Sequence, residues 1–437
     1  MLGCVASDGR LHDQYGYSVA GTRRWAGQIV QFQNLPRYDK EKDKDRLDAL
    51  YGLLERFGAD AAQVSAGLRI MTSEPLIDTV SVGIRKLIKA GPGKVLLGGD
   101  LKNVESRGVA WLANQDDVLE VFKAYDAGIG PDLYKTCYAN SFNVTVESVT
   151  KAQRFLGKIQ ILACSYGGGV GAFLRFAENA GMNLAEVSKA VREAVDPSDW
   201  RDMTASYRNA WDKNELPEEV WTGIKILVRN FRVSNDRIAR SWYAYADAAI
   251  AAVERQGELI EAKNVRGVKY LADDSFLWCQ LPSRGMLGYF QPEIAEERRD
   301  SLLWPDGLIE DADTYFPHEI EDFVSIGVAE LIKGKPRKGV RFMGKAKGSW
   351  APKRLYGGLL AENNTQAACR DIQADKMLNV EENGFPIVCH THDDIVSEVA
   401  IERASLPRFS EILSAPVPWA PGLPIAADCW EGRRYGG

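Results

Sequence analysis

The feature that most restricts how this chain can fold is a pair of apolar strands that each carry an acid and stand nearly three hundred residues apart. The first, KVLLGGD, runs into Asp100; the second belongs to PIVCHTHDDIVSEV, two short strands with Asp393 and Asp394 between them. Between these ends the pattern from Ser106 to Glu261 is mainly helical, with long amphipathic stretches rich in Ala, Arg and Glu. Residues 268–290 predict a strand pair around a Pro-Ser-Arg-Gly turn, and GGLLAENNTQAACRDIQADKML predicts a further helix. The first hundred residues mix short apolar runs with turn signals. Sheet first, helices in the middle and sheet last predict an α+β catalytic domain with a helical insertion.

The chain has 437 residues, 45% of them apolar, enough to bury more than one core. It has no uninterrupted apolar stretch of about 18 residues, which argues against a membrane span. The start, MLGCVASDGR, lacks the pattern of a secretory signal. Seven cysteines without a CxxC pair, and four histidines that do not join them at ligand spacing, argue against a zinc site and a disulfide framework. A reduced, cytoplasmic protein is expected. A net charge of −6 argues against a nucleic-acid partner, but its distribution argues otherwise. Leu331–Arg354 carries nine Lys or Arg and no acid, acids dominate Glu293–Asp322, and a second basic stretch runs from Lys225 to Arg240 with helical spacing. Such segregation suits a positive channel with an acidic exterior, although either basic run alone reads equally as a solvated loop or helix face.

Two constellations carry chemistry. In residues 150–169, TKAQRFLGKIQILACSYGGG, Thr150 and Gln153 have the form of a capping box and the glycines from Gly167 end the helix. Arg154, Lys158, Leu162 and Tyr166 recur every four residues along one face, so two cations a turn apart suit a triphosphate while Leu162 and Tyr166 suit its sugar and base. Alone, the pattern is also that of an ordinary amphipathic helix. The second constellation is the acids: carboxylates projected from strand ends suit two magnesium ions about 3.5–4 Å apart. Asp-Asp in a tight turn is also ordinary turn chemistry. Zinc on His390, His392 and Asp393 is conceivable, but no clear third and fourth ligand accompanies them.

Together TRRWAGQIVQFQNLPR, DLKNVESRGVAWLA, RFLGKIQILACSYGGGVGAF, YGGLLAENNTQAACRD and HTHDDIVSEV, in that order, resemble the family A (polymerase I-like) DNA polymerases, especially those of bacteriophages. The resemblance covers essentially the whole chain, including the tail VPWAPGLPIAADCWEGRRY. It implies a right-hand fold in which 1–110 and 346–437 form the antiparallel palm sheet and 111–345 the helical fingers. It implies template-primer DNA and dNTPs as partners and two Mg2+ ions, with Mn2+ as a substitute. Asp100 and Asp393 would hold both ions, with the Leu101 carbonyl as a further ligand and Asp394 as a secondary acid. Arg154 and Lys158 would grip the triphosphate, Leu162 would touch sugar and base, and Tyr166 with Glu105 would exclude ribonucleotides. Arg24, Gln33 and Asn34 would contact the template-primer, and Asn363, Gln366 and His392 the primer end.

Three positions depart from the family pattern: Asp394 stands where many relatives have Glu, Leu162 where many have Phe or Tyr, and Arg23 where Gly is usual. A thumb and an exonuclease domain would ordinarily precede TRRWAG, so a separate subunit supplying them is expected. The alternatives are a relative of the single-subunit RNA polymerases, against which Glu105 speaks, and a non-catalytic DNA-binding remnant.

Overall fold

The strand foreseen at KVLLGGD lies at the centre of a four-stranded antiparallel sheet built from both ends of the chain. In this computed structural model, residues 5–36, 42–58, 60–72, 75–210, 212–297, 301–303, 305, 309–311, 320–321, 324–325, 327–334, 336–346 and 349–436 are described. Much of the acidic run 293–322 lies outside them, as do Lys335 and Lys347 of the basic run. The chain divides into two compact units, one of 1–104, 369–417 and 425–437, the other of 105–368 and 418–424. Helices and antiparallel sheets make the fold α+β.

In the first unit, β1 (Lys94–Leu101) is flanked by β3 (Asp394–Ala400) and β4 (Ala427–Gly432), with β2 (Ile387–Thr391) beyond β3. Both faces are covered, which explains the continuous apolar run. Val95, Leu97, Ile395 and Val399 pack with Phe409 and Leu413 on one side; Leu96 and Val396 pack with Val30, Phe32 and Tyr435 on the other. The two glycines before Asp100 have a packing reason. A Cβ at Gly98 would run into the Trp430 indole, and one at Gly99 into Leu413. The helices Lys44–Phe57, Ala61–Met71 and Leu76–Gly83, not resolved in the sequence pattern, bury Leu47, Leu50, Leu53 and Leu68 in a separate cluster.

Glu398, buried on β3, ties the sheet to the segment before β1. Burial raises its carboxyl pKa, but the Gly91 N–H at 2.8 Å, Arg10 at 2.7 Å and Lys94 at 3.1 Å outweigh it and hold the group at about 2. A folded pKa below the usual 4.5 gives a stability contribution that is complete above about pH 4.5 and is lost as the pH falls toward 2. Urea unfolding at pH 5 and pH 3 should show a stability loss that is smaller by about 2 kcal/mol in Glu398→Gln. An equal loss in both proteins would refute this role.

The second unit packs α1 (Leu133–Phe142), α2 (Lys151–Cys164) and α3 (Glu218–Ser234) around Tyr138, Leu156, Ile159, Ile224, Leu227 and Phe231. The basic stretch 225–240 is not one helix: it breaks at Asn235, where α3 gives way to α4 (Asp236–Glu254). The strand pair expected around the Pro-Ser-Arg-Gly turn is present, 276–280 against 286–297, and belongs to a six-stranded antiparallel sheet in the order 349–355, 337–346, 286–297, 276–280, 269–272, 260–261. Tyr270, Leu277, Cys279, Leu287, Tyr289 and Val340 form its buried face against α4. The basic run provides one edge strand, 349–355, and its inner neighbour, 337–346. The long helix α5 (Gly357–Glu382) gives residues to both units. No described helix is long and apolar enough to cross a membrane.

Candidate active site

In the first unit, strand register brings the acids together. Asp100 on β1 stands opposite Asp394 on β3 and, on its other side, opposite Asp428 on β4. The Leu101 N–H donates to the Asp393 carbonyl at 2.9 Å, which holds the turn residue beside the end of β1. Asp100 and Asp393 are half-buried. Asp394 is buried and accepts a hydrogen bond from the Tyr435 hydroxyl. Burial first, and then the Asp394 charge, push the Tyr435 phenol far up, so it remains a donor. Asp428, exposed and paired with Lys102 at 2.7 Å, was not singled out in the sequence; neither was Tyr435. Both come from the C-terminal tail, whose return to this sheet no local pattern announces.

The donors at this corner are oxygens. Cys389 is buried beside the Tyr15 hydroxyl at 3.2 Å. His390 is stacked on Tyr15 at 4.2 Å and edges Trp25 at 5.0 Å, and burial lowers its pKa to about 4. Among the described residues, no group of three or more His, Cys, Asp or Glu is arranged to hold a metal by itself. Two carboxylates that leave the remaining positions to water and phosphate oxygens are a donor set that suits magnesium.

Arg24, Gln33 and His392 line one small pocket of this unit, together with Tyr15, Trp25, Gln373, His390 and Thr391. Gln373 fixes its floor by donating to the Thr391 carbonyl at 3.0 Å. Asn34 is not in the lining; it is exposed and donates to Gln31. Arg23 has φ +63°, in the left-handed region that favours glycine, and its Nη1 meets Asp371 at 3.2 Å. The glycine usual here in the polymerases that the sequence resembles would fit the backbone that this arginine adopts at a cost. Arg23→Ala should destabilise the protein by about 1 kcal/mol more than Arg23→Gly, since both lose the ion pair and only alanine keeps the strain. Thermal unfolding checks the order, and alanine at least as stable as glycine would refute it.

In the second unit, α2 begins at the foreseen capping box: Thr150 Oγ1 accepts from the Gln153 N–H at 3.3 Å, and the Gln153 side chain accepts from the Thr150 N–H at 2.9 Å. Its back face buries Leu156, Ile159, Gln160 and Ala163. At Gly157 a Cβ would strike the Tyr134 carbonyl, so α1 crosses where only glycine fits. The other side carries Arg154 and Lys158, both half-buried, and Leu162, 41% exposed. Arg154 already has a partner: its Nε donates to Asp132 at 2.7 Å and its guanidinium lies over Tyr134. Asp132 also caps α1 through the Lys135 N–H at 3.0 Å. Tyr166 donates to Glu105 at 3.4 Å, so these two stand together. On α5, Asn363 donates to the Tyr289 hydroxyl and Gln366 to Glu362, each at 3.1 Å.

No family model matches the chain. A DNA polymerase of Bacillus phage SP02 is 29% identical over 415 residues, which cover 94% of this chain and 50% of that protein. Among solved structures, the POL domain of Pol1 from M. smegmatis, in complex with DNA primer-template and dNTP, aligns with a TM-score of 0.48 and 14% identity over 99% of this chain and 49% of that one. The chain is thus similar along nearly its whole length to a phage DNA polymerase, of which it spans about half, and this supports its resemblance to the family A DNA polymerases.

Proposed function

We propose that this chain carries the active site of a DNA-directed DNA polymerase, with the first unit as palm and the second as fingers. The observation that carries the proposal is the Leu101–Asp393 backbone bond, which fixes two half-buried carboxylates, nearly three hundred residues apart in sequence, at one corner of a rigid sheet. The phage relative supports the same reading. Asp100 and Asp393 would hold two Mg2+ ions, or Mn2+, with the Leu101 carbonyl as a further ligand. Bound there, such ions acidify a primer 3′-hydroxyl and neutralise charge on the leaving pyrophosphate. The 3′-hydroxyl would give its proton to solvent as its oxygen bonds to the α-phosphorus and the α–β phosphoanhydride bond breaks, and pyrophosphate leaves.

The chain's own groups bind and orient. Lys158 and the Nη groups of Arg154 would meet the triphosphate oxygens, Arg154 being aimed by the bond from its Nε to Asp132. Leu162 offers the nucleotide an apolar contact. Tyr166, held by Glu105, would occupy the space that a 2′-hydroxyl needs. Asp394 is a positioning residue, locked by Tyr435 at the strand end. Arg24, Gln33, Asn34 and His392, with Asn363 and Gln366 on α5, would contact the template-primer.

Primer extension by the chain with Mg2+ tests the proposal. Extension with dNTPs should exceed that with rNTPs by at least about a hundredfold, a steric discrimination that Glu105→Ala should narrow. Equal use of rNTPs would favour the RNA polymerase alternative. DNA binding without extension would favour a non-catalytic remnant.

A further inference from the structure

The six-stranded sheet of the second unit has two unlike faces. One is closed by α4. The other carries a row of rings that crosses four strands. Phe276 stacks on Trp278 with centroids 4.8 Å apart, Phe276 meets Phe290 at 5.3 Å, and Phe290 meets Trp350 at 6.0 Å. Gly288 stands opposite Trp278, and a Cβ there would come within 2.9 Å of the indole, so the ring lies across the glycine. The Trp278 Nε1 donates to Asp273 at 2.8 Å, which fixes the edge of the ring. At the far end Trp350 is 59% exposed.

Cations share this face. Register places Lys345 opposite Trp350, and Arg341 opposite Arg354, all exposed. Among the described residues, the acids of the same region are Glu293, opposite Arg341 on its other side, and Asp273 and Asp274 at the neighbouring strand end. Cross-strand rings stabilise a sheet by themselves, but that role does not account for a largely exposed tryptophan at the end of the row. Stacking surfaces alternating with cations are what single-stranded nucleic acid requires: the rings take base faces and the cations take phosphates. Duplex DNA offers no free base face to such a row. A second copy of this chain would set one basic hairpin against another.

We propose that this face binds single-stranded DNA through Trp350, Phe290, Phe276 and Trp278, with Arg341, Lys345 and Arg354 on the phosphates. Resting on the polymerase reading for its role, the occupant is the unpaired template strand; the binding itself does not depend on catalysis. The probe is a labelled oligothymidylate of about 16 nucleotides, titrated by fluorescence anisotropy against the full chain. Trp350→Ala should weaken binding about tenfold. Arg341→Ala should reduce the slope of log K against log salt by about 0.7, the share of one phosphate contact on a single strand. Lys338→Ala should change neither, because Lys338 points to the other side of the same strand and pairs with Glu254.

Affinity within about twofold of the parent in Trp350→Ala, or an equal loss in Lys338→Ala, overturns the proposal. So does a Trp350→Ala protein that binds oligothymidylate normally but changes its oligomeric state. Primer extension separates the two readings. Trp350-dependent binding by a chain that extends nothing would sink the polymerase and leave this site standing. Normal extension with no dependence of binding on Trp350 would do the reverse.

Discussion

Asp100→Ala and Asp393→Ala should each lower primer extension at least about a thousandfold while leaving duplex affinity within about threefold of the parent. The two effects separate because they draw on different parts of the molecule. On the proposed reading each carboxylate would be one of few protein ligands for the ions, and its loss would remove both hydroxyl activation and charge neutralisation, several kcal/mol of barrier together. Affinity for duplex comes mostly from phosphate contacts to cations, which these variants keep. Asp100→Asn and Asp393→Asn preserve shape and hydrogen bonding, so equal losses there assign the effect to charge. Asp394→Asn behaves differently: its carboxylate is buried under the Tyr435 hydroxyl, so it should cost stability of about 1–3 kcal/mol and less in rate. Rapid-quench extension with a folding check by thermal unfolding distinguishes these cases. Extension within tenfold of the parent for either alanine variant would remove Asp100 and Asp393 from the chemistry.

That corner of the sheet also shows what a sequence discloses. β1 was legible because it is buried on both faces and so reads as an unbroken apolar run, and its two glycines mark where Trp430 and Leu413 cross it. The α2 capping box was legible because both of its hydrogen bonds join residues three apart. The strands 337–346 and 349–355 were not, because exposed charges on both of their faces hide the two-residue alternation behind a basic run. The helix break at Asn235 was hidden for the opposite reason: apolar spacing continues across it, and only the backbone departs. Arg154 could be named from its spacing, but its bond to Asp132 could not, since it depends on how α1 crosses α2 at Gly157. Asp428 and Tyr435 reach Asp100 and Asp394 through strand pairing and tail packing, which no residue spacing encodes.

The same crossing decides the second large effect. Lys158→Ala should lower kcat/KM for dNTPs by about a hundred- to a thousandfold, with primer-template affinity unchanged. Lys158 lies one turn beyond Arg154 on the side of α2 that Leu156, Ile159 and Gln160 leave facing outward. An ammonium about 4 Å from a phosphate oxygen, at the effective dielectric of a partly buried site, is worth about 4 kcal/mol, and solvent reorganisation returns part of it. Arg154→Ala should cost less, about ten- to a hundredfold, because the Arg154 Nε is already committed to Asp132 and only its remaining donors are available to phosphate. Arg154→Lys should not rescue, since an ammonium cannot meet Asp132 and a phosphate with the planar geometry of a guanidinium. If Lys158 holds phosphates that leave, inhibition by added pyrophosphate should weaken in parallel with dNTP use. Single-turnover incorporation over a dNTP titration measures this, with DNA affinity taken separately. A Lys158→Ala enzyme within tenfold of the parent, or one that loses DNA affinity and keeps dNTP use, would show that α2 faces nucleic acid and not the incoming nucleotide.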